Sequence, residues 1–300
     1  MSNSHPAAHH LLGIALMSVA MLTVPGVDGF AKALSADHSP LFVSWARYAV
    51  ATVVVLPLAG LSHGGRAMFP TQRRLAHLVR TLLLVCSMTL YFFAIARIPL
   101  ATAMAAFLVG PIIAVAVAVI WLGEELTRRK AISLTLGFAG ALIIARPGGG
   151  FDPGVLLALA AGFCYGFYLV ATRIAAFTAS PLQTLAFQSL VGALIMTPQA
   201  VATWSWPVVG EFWMFAGLGA ISLFSHGLSI AAFRHAGATT LAPLVYLELV
   251  SSASIGYFVF AEVPDLPTLA GAACIVLAGL ILVKRTERKV AAAVADRRAG

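Results

Sequence analysis

Long apolar stretches separated by short polar interruptions cover nearly the whole chain. Breaks at clusters of charge, proline and glycine delimit ten of them, at about residues 11–34, 41–61, 75–96, 100–122, 131–145, 154–172, 182–203, 212–233, 238–260 and 267–283. About 20 apolar residues span a bilayer core as a helix. The pattern therefore predicts an all-α, polytopic membrane protein with ten transmembrane helices, the fifth being short. The connections leave no room for an inserted soluble domain. The apolar run behind Met1–His10 is too long for a signal-peptide core and reads as a retained first helix.

Composition agrees with the pattern. Of 300 residues, 60% are hydrophobic and only 10% are Asp, Glu, Lys or Arg, against about 25% in soluble domains. Mean hydropathy is +0.95. A soluble enzyme, a disordered regulator and a nucleic-acid binder are all excluded by so few charges. The three cysteines, Cys86, Cys164 and Cys274, stand singly in apolar stretches and read as buried thiols, with no disulfide framework or zinc site.

The net charge of +8 acquires meaning from its placement. With the N-terminus cytoplasmic, the inside holds Arg66, Arg73, Arg74, Arg128, Arg129, Lys130, Arg173, Arg234, Lys284, Arg285, Arg288, Lys289, Arg297 and Arg298. The outside holds Lys32, Arg97 and Arg146. Fourteen cations against three is a strong positive-inside bias. Both termini are then cytoplasmic, which requires an even number of spans, in a multi-pass protein of the inner (plasma) membrane.

The chain also repeats itself. Lys32 stands seven residues before Ser39-Pro40-Leu41, and Arg173 stands seven before Ser180-Pro181-Leu182. Pro57 follows Pro40 by 17 residues, as Pro198 follows Pro181. Arg97 precedes Ala101-Thr102 by four, as Arg234 precedes Ala238-Thr239. Glu124 and Glu262 close matching helices, and Ala139-Gly140 matches Ala278-Gly279. Each half holds five spans, an odd number, so the second enters from the opposite face. The expected organisation is a first repeat over residues 1–147, an inverted second repeat over 148–285, and a basic cytoplasmic tail over 286–300. Inverted repeats characterise secondary transporters, with the substrate site near the midplane between the halves.

In order and spacing, several short motifs resemble the EamA-type, ten-helix branch of the drug/metabolite transporter superfamily. They are Asp28-Gly-Phe-Ala-Lys32, Ser39-Pro40, Arg47-Tyr48, Phe93-Ala94, Pro99-Leu100-Ala101, Pro111, Leu122-Gly123-Glu124, Gly137-Phe138-Ala139-Gly140 and Arg146-Pro147-Gly148. In the second half they are Ala242-Pro243, Tyr246-Leu247, Phe260-Ala261-Glu262 and Pro264-Asp265. Ala261 departs from the pattern, standing where glycine is commoner, and Glu248 stands near the position of Pro111 in the first half. The resemblance implies a gradient-driven carrier of a small metabolite working by alternating access. It names amino acids, drug-like cations, S-adenosylmethionine and riboflavin as substrate classes, and points to the last two. Neither an enzyme nor a bound cofactor is implied.

Ionisable groups within spans are costly and mark function by default. Asp28, Lys32 and Arg47 come at similar depth, and Lys32 follows Asp28 by one helical turn. They form a candidate substrate site, an outer gate, or a fixed ion pair. Glu248 falls near the middle of span nine without a cation close in sequence. It suits proton coupling, a ligand for a cationic substrate, or a hydrogen bond across the bundle. His226 in span eight is a candidate proton carrier or a helix-to-helix link, and Gln188 in span seven has similar standing. Tyr91, Tyr165, Tyr168, Tyr246 and Trp45 are candidate cavity walls that would stack on a flat ring or a cation. Trp204, Trp206 and Trp213 mark an interfacial belt. Pro25, Pro57, Pro111, Pro198 and Pro243 are natural hinges. Small residues in spans five and ten, Gly137, Gly140 and Gly279 among them, would serve helix packing or a dimer face. No GxxxxGK[ST] loop is present, so energy must come from a gradient or from substrate flow. The expected partners are a small-molecule substrate, membrane lipid and, as one option, a coupling proton, in a monomer or a homodimer without nucleic acid. A channel and a membrane-embedded enzyme are the competing classes.

Overall fold

The computed structural model describes residues 6–64, 69–121, 123, 125–145, 152–175, 178–235 and 242–281. Most of these residues are helical, with no strand among them. The helices are α1 (Pro6–Leu34), α2 (Pro40–His63), α3 (Arg74–Ile95), α4 (Leu100–Phe107), α5 (Gly110–Trp121), α6 (Arg128–Ala145), α7 (Pro153–Ala175), α8 (Pro181–Ala202), α9 (Phe212–His235) and α10 (Leu247–Phe260). A last helix, α11, covers Leu266–Ile281. Seven stretches are long and apolar enough to cross a membrane, α4 and α5 together making one of them. Leu244–Phe260 and Leu266–Ile281 are shorter apolar helices.

Serine caps start α2 and α8 at the two Ser-Pro sites. Ser39 Oγ accepts from the Leu41 amide at 3.3 Å. Ser180 forms a capping box with Gln183, whose side-chain oxygen accepts from the Ser180 amide at 2.8 Å. Proline then takes the first helical position, where its missing N–H is no loss.

The prolines divide into two groups. Pro25, Pro57 and Pro198 lie inside continuous helices. Real breaks come instead at Leu108–Val109, just before Pro111, and at Ala242–Tyr246, a 3-10 turn containing Pro243. The second break corrects the expected continuous ninth span. Proline disfavours α conformation in the residue before it and removes a backbone donor. Glu248 therefore sits in the first turn of α10, not mid-helix. A carboxylate there meets the positive end of the helix dipole.

α1 packs on α9 and α10, α2 on α8 and α9, α3 on α7 and α8, and α4 on α7 and α10. α6 lies against α11. There Ser133 Oγ donates to the Ala278 carbonyl at 2.8 Å, and a Cβ at Gly140 would come within 2.8 Å of the Gly271 carbonyl. The small-residue stripe thus serves packing within one chain. The core centres on α4, whose Leu100, Ala103, Met104, Ala105 and Ala106 are buried among α3, α7 and α10. Large apolar side chains such as Leu61, Ile120, Phe258 and Leu277 cover the exterior, as a lipid-facing surface requires. Trp204, Trp206 and Trp213 are exposed near one end of the bundle. Cys86, expected buried, is exposed, and its sulfur lies 3.8 Å from that of Cys164 on α7.

Candidate functional site

The polar side chains buried in the bundle collect along one path. On α1, Asp28 is buried and accepts a hydrogen bond from the Tyr91 hydroxyl of α3 at 3.4 Å. The Tyr91 ring meets Phe107 at the end of α4, with centroids 4.9 Å apart. Phe107 meets Tyr165 of α7 at 4.8 Å, and Tyr165 stacks on Tyr168 at 5.4 Å. The guanidinium of Arg80 caps this series 5.3 Å above the Tyr168 ring and donates to Gln188 of α8. Six aromatic and charged groups from α1, α3, α4 and α7 thereby join Asp28 at one end to Arg80 at the other. Glu248 lies close enough to Asp28, Tyr91 and Tyr165 to act on each electrostatically.

Beside this path a small polar cavity opens between α2, α8 and α9. Arg47, Tyr48, Gln188, Ser189, Ser222 and His226 supply its polar lining. Arg47 is 8% exposed, donates through Nε to Ser222 Oγ at 3.3 Å, and lies over the rings of Tyr48 and Phe92. His226 uses Nδ1 to donate to the Ser222 carbonyl at 2.8 Å, the ordinary bond of a polar side chain to the turn before it.

The structure takes Lys32 out of the expected Asp28, Lys32 and Arg47 cluster, while Arg47 stays near enough to Asp28 to act on it electrostatically. Lys32 Nζ pairs instead with Glu262, 2.6 Å away, and donates to the carbonyls of Ile95 and Ile98 at 2.8 and 2.7 Å. Glu262 in turn accepts from the Leu100 amide at 2.8 Å. No ion pair within 4 Å joins Asp28, Glu248, Arg47 or Arg80 to another described residue. Tyr246 presses its hydroxyl against Gly279 of α11, outside the aromatic series. Trp45 donates to Thr197 at 3.2 Å, stacks on Phe42 and meets Trp204 edge to face near a second polar knot, where His38 meets Glu211 at 2.9 Å.

Two important residues escape a reading of the chain alone. Arg80 looks like a residue near a span end, yet it is seven residues into α3, 4% exposed and central. An arginine within an apolar helix was the available signal. Glu262 reads as a turnaround residue and is Lys32's partner across 230 positions. Among the described residues no group of three His, Cys, Asp or Glu side chains could hold a metal ion. The repeat positions Glu124 and Ala238-Thr239 and the family motif Arg146-Pro147-Gly148 lie outside the described residues.

Comparison with known proteins completes the picture. An S-adenosylmethionine uptake transporter of Rickettsia bellii is 28% identical over 91% of this chain and 93% of its own length. A pseudopaline exporter of Pseudomonas aeruginosa is 27% identical over 92% of this chain and 97% of its length. A riboflavin transporter of Vibrio cholerae is 26% identical over 94% and 98%. A protein crystal structure 20% identical in sequence superposes with a TM-score of 0.59 over 95% of this chain and all of its own, a likeness of fold alone. The model of the EamA-like transporter family matches twice, at residues 11–146 and 152–284. With buried polar groups gathered inside a bundle of apolar helices, this chain is a multi-pass membrane protein that belongs to the EamA-like transporter family.

Proposed function

We propose that the protein is a secondary carrier of a small amphipathic metabolite across the inner membrane, built from two inverted five-span repeats and working by alternating access. The observation that carries this reading is the symmetry of helix packing. Exchanging α1 with α7, α2 with α8, α3 with α9, α4–α5 with α10, and α6 with α11 turns each principal contact into another one. The pair α1–α9 becomes α7–α3, and α1–α10 becomes α7–α4. The pairs α2–α8, α4–α10 and α6–α11 map onto themselves. The breaks before α5 and before α10 exchange as well, and so do the serine caps of α2 and α8. Broken helices near a repeat interface are where carriers of this kind hold their substrates. The two family matches fall on the two halves, supporting a division near residue 148.

In this reading Asp28, Arg47, Tyr91, Tyr165, Tyr168, Gln188, His226 and Glu248 contact the substrate or a coupling proton. Tyr246 and Trp45 support the walls. The termini are cytoplasmic, from the cation bias. Lys32 and Glu262 close the outer end. The named relatives suggest S-adenosylmethionine first, and riboflavin next.

Proteoliposomes loaded with the purified chain test the reading. Uptake of radiolabelled S-adenosylmethionine, riboflavin and a set of amino acids is measured with and without an imposed pH gradient. Saturable uptake of one of them is expected. Flux that rises without saturation would identify a channel, and uptake of none would remove the carrier reading.

A further inference from the structure

Every polar group lining the cavity between α2, α8 and α9 offers a hydrogen-bond donor, apart from the free nitrogen of His226. Arg47 spends Nε on Ser222, while its two terminal nitrogens have no protein acceptor among the described residues. Gln188 must accept from Arg80 through Oε1, because a guanidinium cannot accept. That bond fixes the amide, leaving its NH2 as the free end. Ser222 Oγ already accepts from Arg47, so its proton is available to a ligand. The Tyr48 hydroxyl is buried without a partner. Buried donors left unpaired are costly, and a guanidinium fork matches a carboxylate's two oxygens. Asp28, an acid that Arg47 acts on electrostatically, makes no ion pair with it within 4 Å, and its carboxyl accepts from Tyr91.

Building on the carrier reading above, we propose that this cavity is a carboxylate seat. Arg47 grips the carboxylate of the transported molecule, and Gln188, Tyr48 and Ser222 complete its donors. Arg80 is a positioning residue that sets the Gln188 amide and neighbours the aromatic series. The substrate then carries a carboxylate next to a flat or apolar body lying along Tyr168 and Tyr165. A monoanion suits a single direct guanidinium surrounded by neutral donors better than a phosphate dianion does.

The seat is tested by competition in the same proteoliposomes. Uptake of radiolabelled S-adenosylmethionine, or of whichever amino acid is taken up, is challenged with the unlabelled compound, its carboxamide form, and inorganic phosphate. The carboxylate form should compete roughly tenfold or more better than the carboxamide, the discrimination that a buried charge-assisted pair provides, and phosphate should not compete. Arg47→Gln should erase that preference, Arg47→Lys should keep part of it, and Gln188→Glu, which places an acid inside the seat, should also erase it. The wild-type comparison needs no variant to fold. Equal competition by carboxylate and carboxamide, or uptake confined to riboflavin, which has no carboxylate, overturns the seat while leaving the carrier intact. Competition by phosphate at similar concentration overturns the choice of carboxylate. Absence of all saturable uptake removes the carrier reading and the seat together.

Discussion

Ala261 ends α10 with φ of +54°, in the left-handed region where a β-carbon is crowded. Its counterpart after α5, Gly123, has φ of +66°. The sequence departs from the family pattern at the position where the backbone needs glycine most. A left-handed alanine costs about 1–2 kcal/mol, and glycine loses about 0.4–1 kcal/mol through the unfolded chain. Ala261→Gly should therefore stabilise the protein by up to about 1.5 kcal/mol. Thermal unfolding in detergent should show a small rise in midpoint, and an unchanged or lower value would mean that the turn relaxes otherwise. Glu248 is the opposite case, a residue whose surroundings exceed its sequence signal. Near Asp28 and two tyrosines, and without a cation within 4 Å among the described residues, it is costly to retain unless it acts. Glu248→Gln keeps the shape and removes the ionisable carboxyl. It should reduce uptake at least tenfold while membrane insertion and thermal midpoint stay near wild type. Wild-type uptake rates would take Glu248 out of the mechanism.

At the level of elements, the apolar runs named the helices well, because burial in lipid demands little beyond length and hydropathy. They were less informative about where helices break, and silent about facing. Helices that are apolar all round carry almost no amphipathic signal, so the depth of Arg80 or the partner of Lys32 cannot be read from spacing. Asp28 and Lys32 share a helix face in sequence, yet Lys32 reaches two carbonyls and Glu262 instead, since partners 60 to 230 positions away are invisible to local patterns. The Glu262 amide returns to the Gly256 carbonyl at 2.9 Å, past the left-handed Ala261, and this helix end aims the carboxylate back at Lys32 and the Leu100 amide. One side chain therefore ties α1, the α3–α4 turn and the end of α10. Glu262→Gln retains an acceptor for the Leu100 amide but loses the ion pair, and Glu262→Ala loses both. Alanine should destabilise by roughly 2–3 kcal/mol and glutamine by less, following the strength of hydrogen bonds to charged groups. A double-mutant cycle with Lys32→Met should give a coupling energy of about 1 kcal/mol or more, read from unfolding in detergent. Additive effects would mean that the two side chains contribute separately.

For the molecule as a whole, the decisive question is which way each half enters the membrane. Ser39 and Ser180 stand at matching places in the two halves of the chain, each capping a helix that begins with proline. In a parallel repeat both caps would face one compartment. In an inverted repeat they face opposite ones. Asp37 is exposed beside the first cap, and Ala179 adjoins the second. With Cys86, Cys164 and Cys274 replaced by alanine or serine, single cysteines at positions 37 and 179 can be labelled with a membrane-impermeant maleimide. In right-side-out vesicles the cysteine at 37 should react and that at 179 should not, and inside-out vesicles should reverse the result. The prediction combines two independent lines, the distribution of Lys and Arg and the exchange symmetry of the helix contacts. Labelling of both from one side would break the inversion. Labelling in the opposite sense would keep the inversion and reverse the orientation that the cations assign, placing the Lys32–Glu262 pair at the cytoplasmic end.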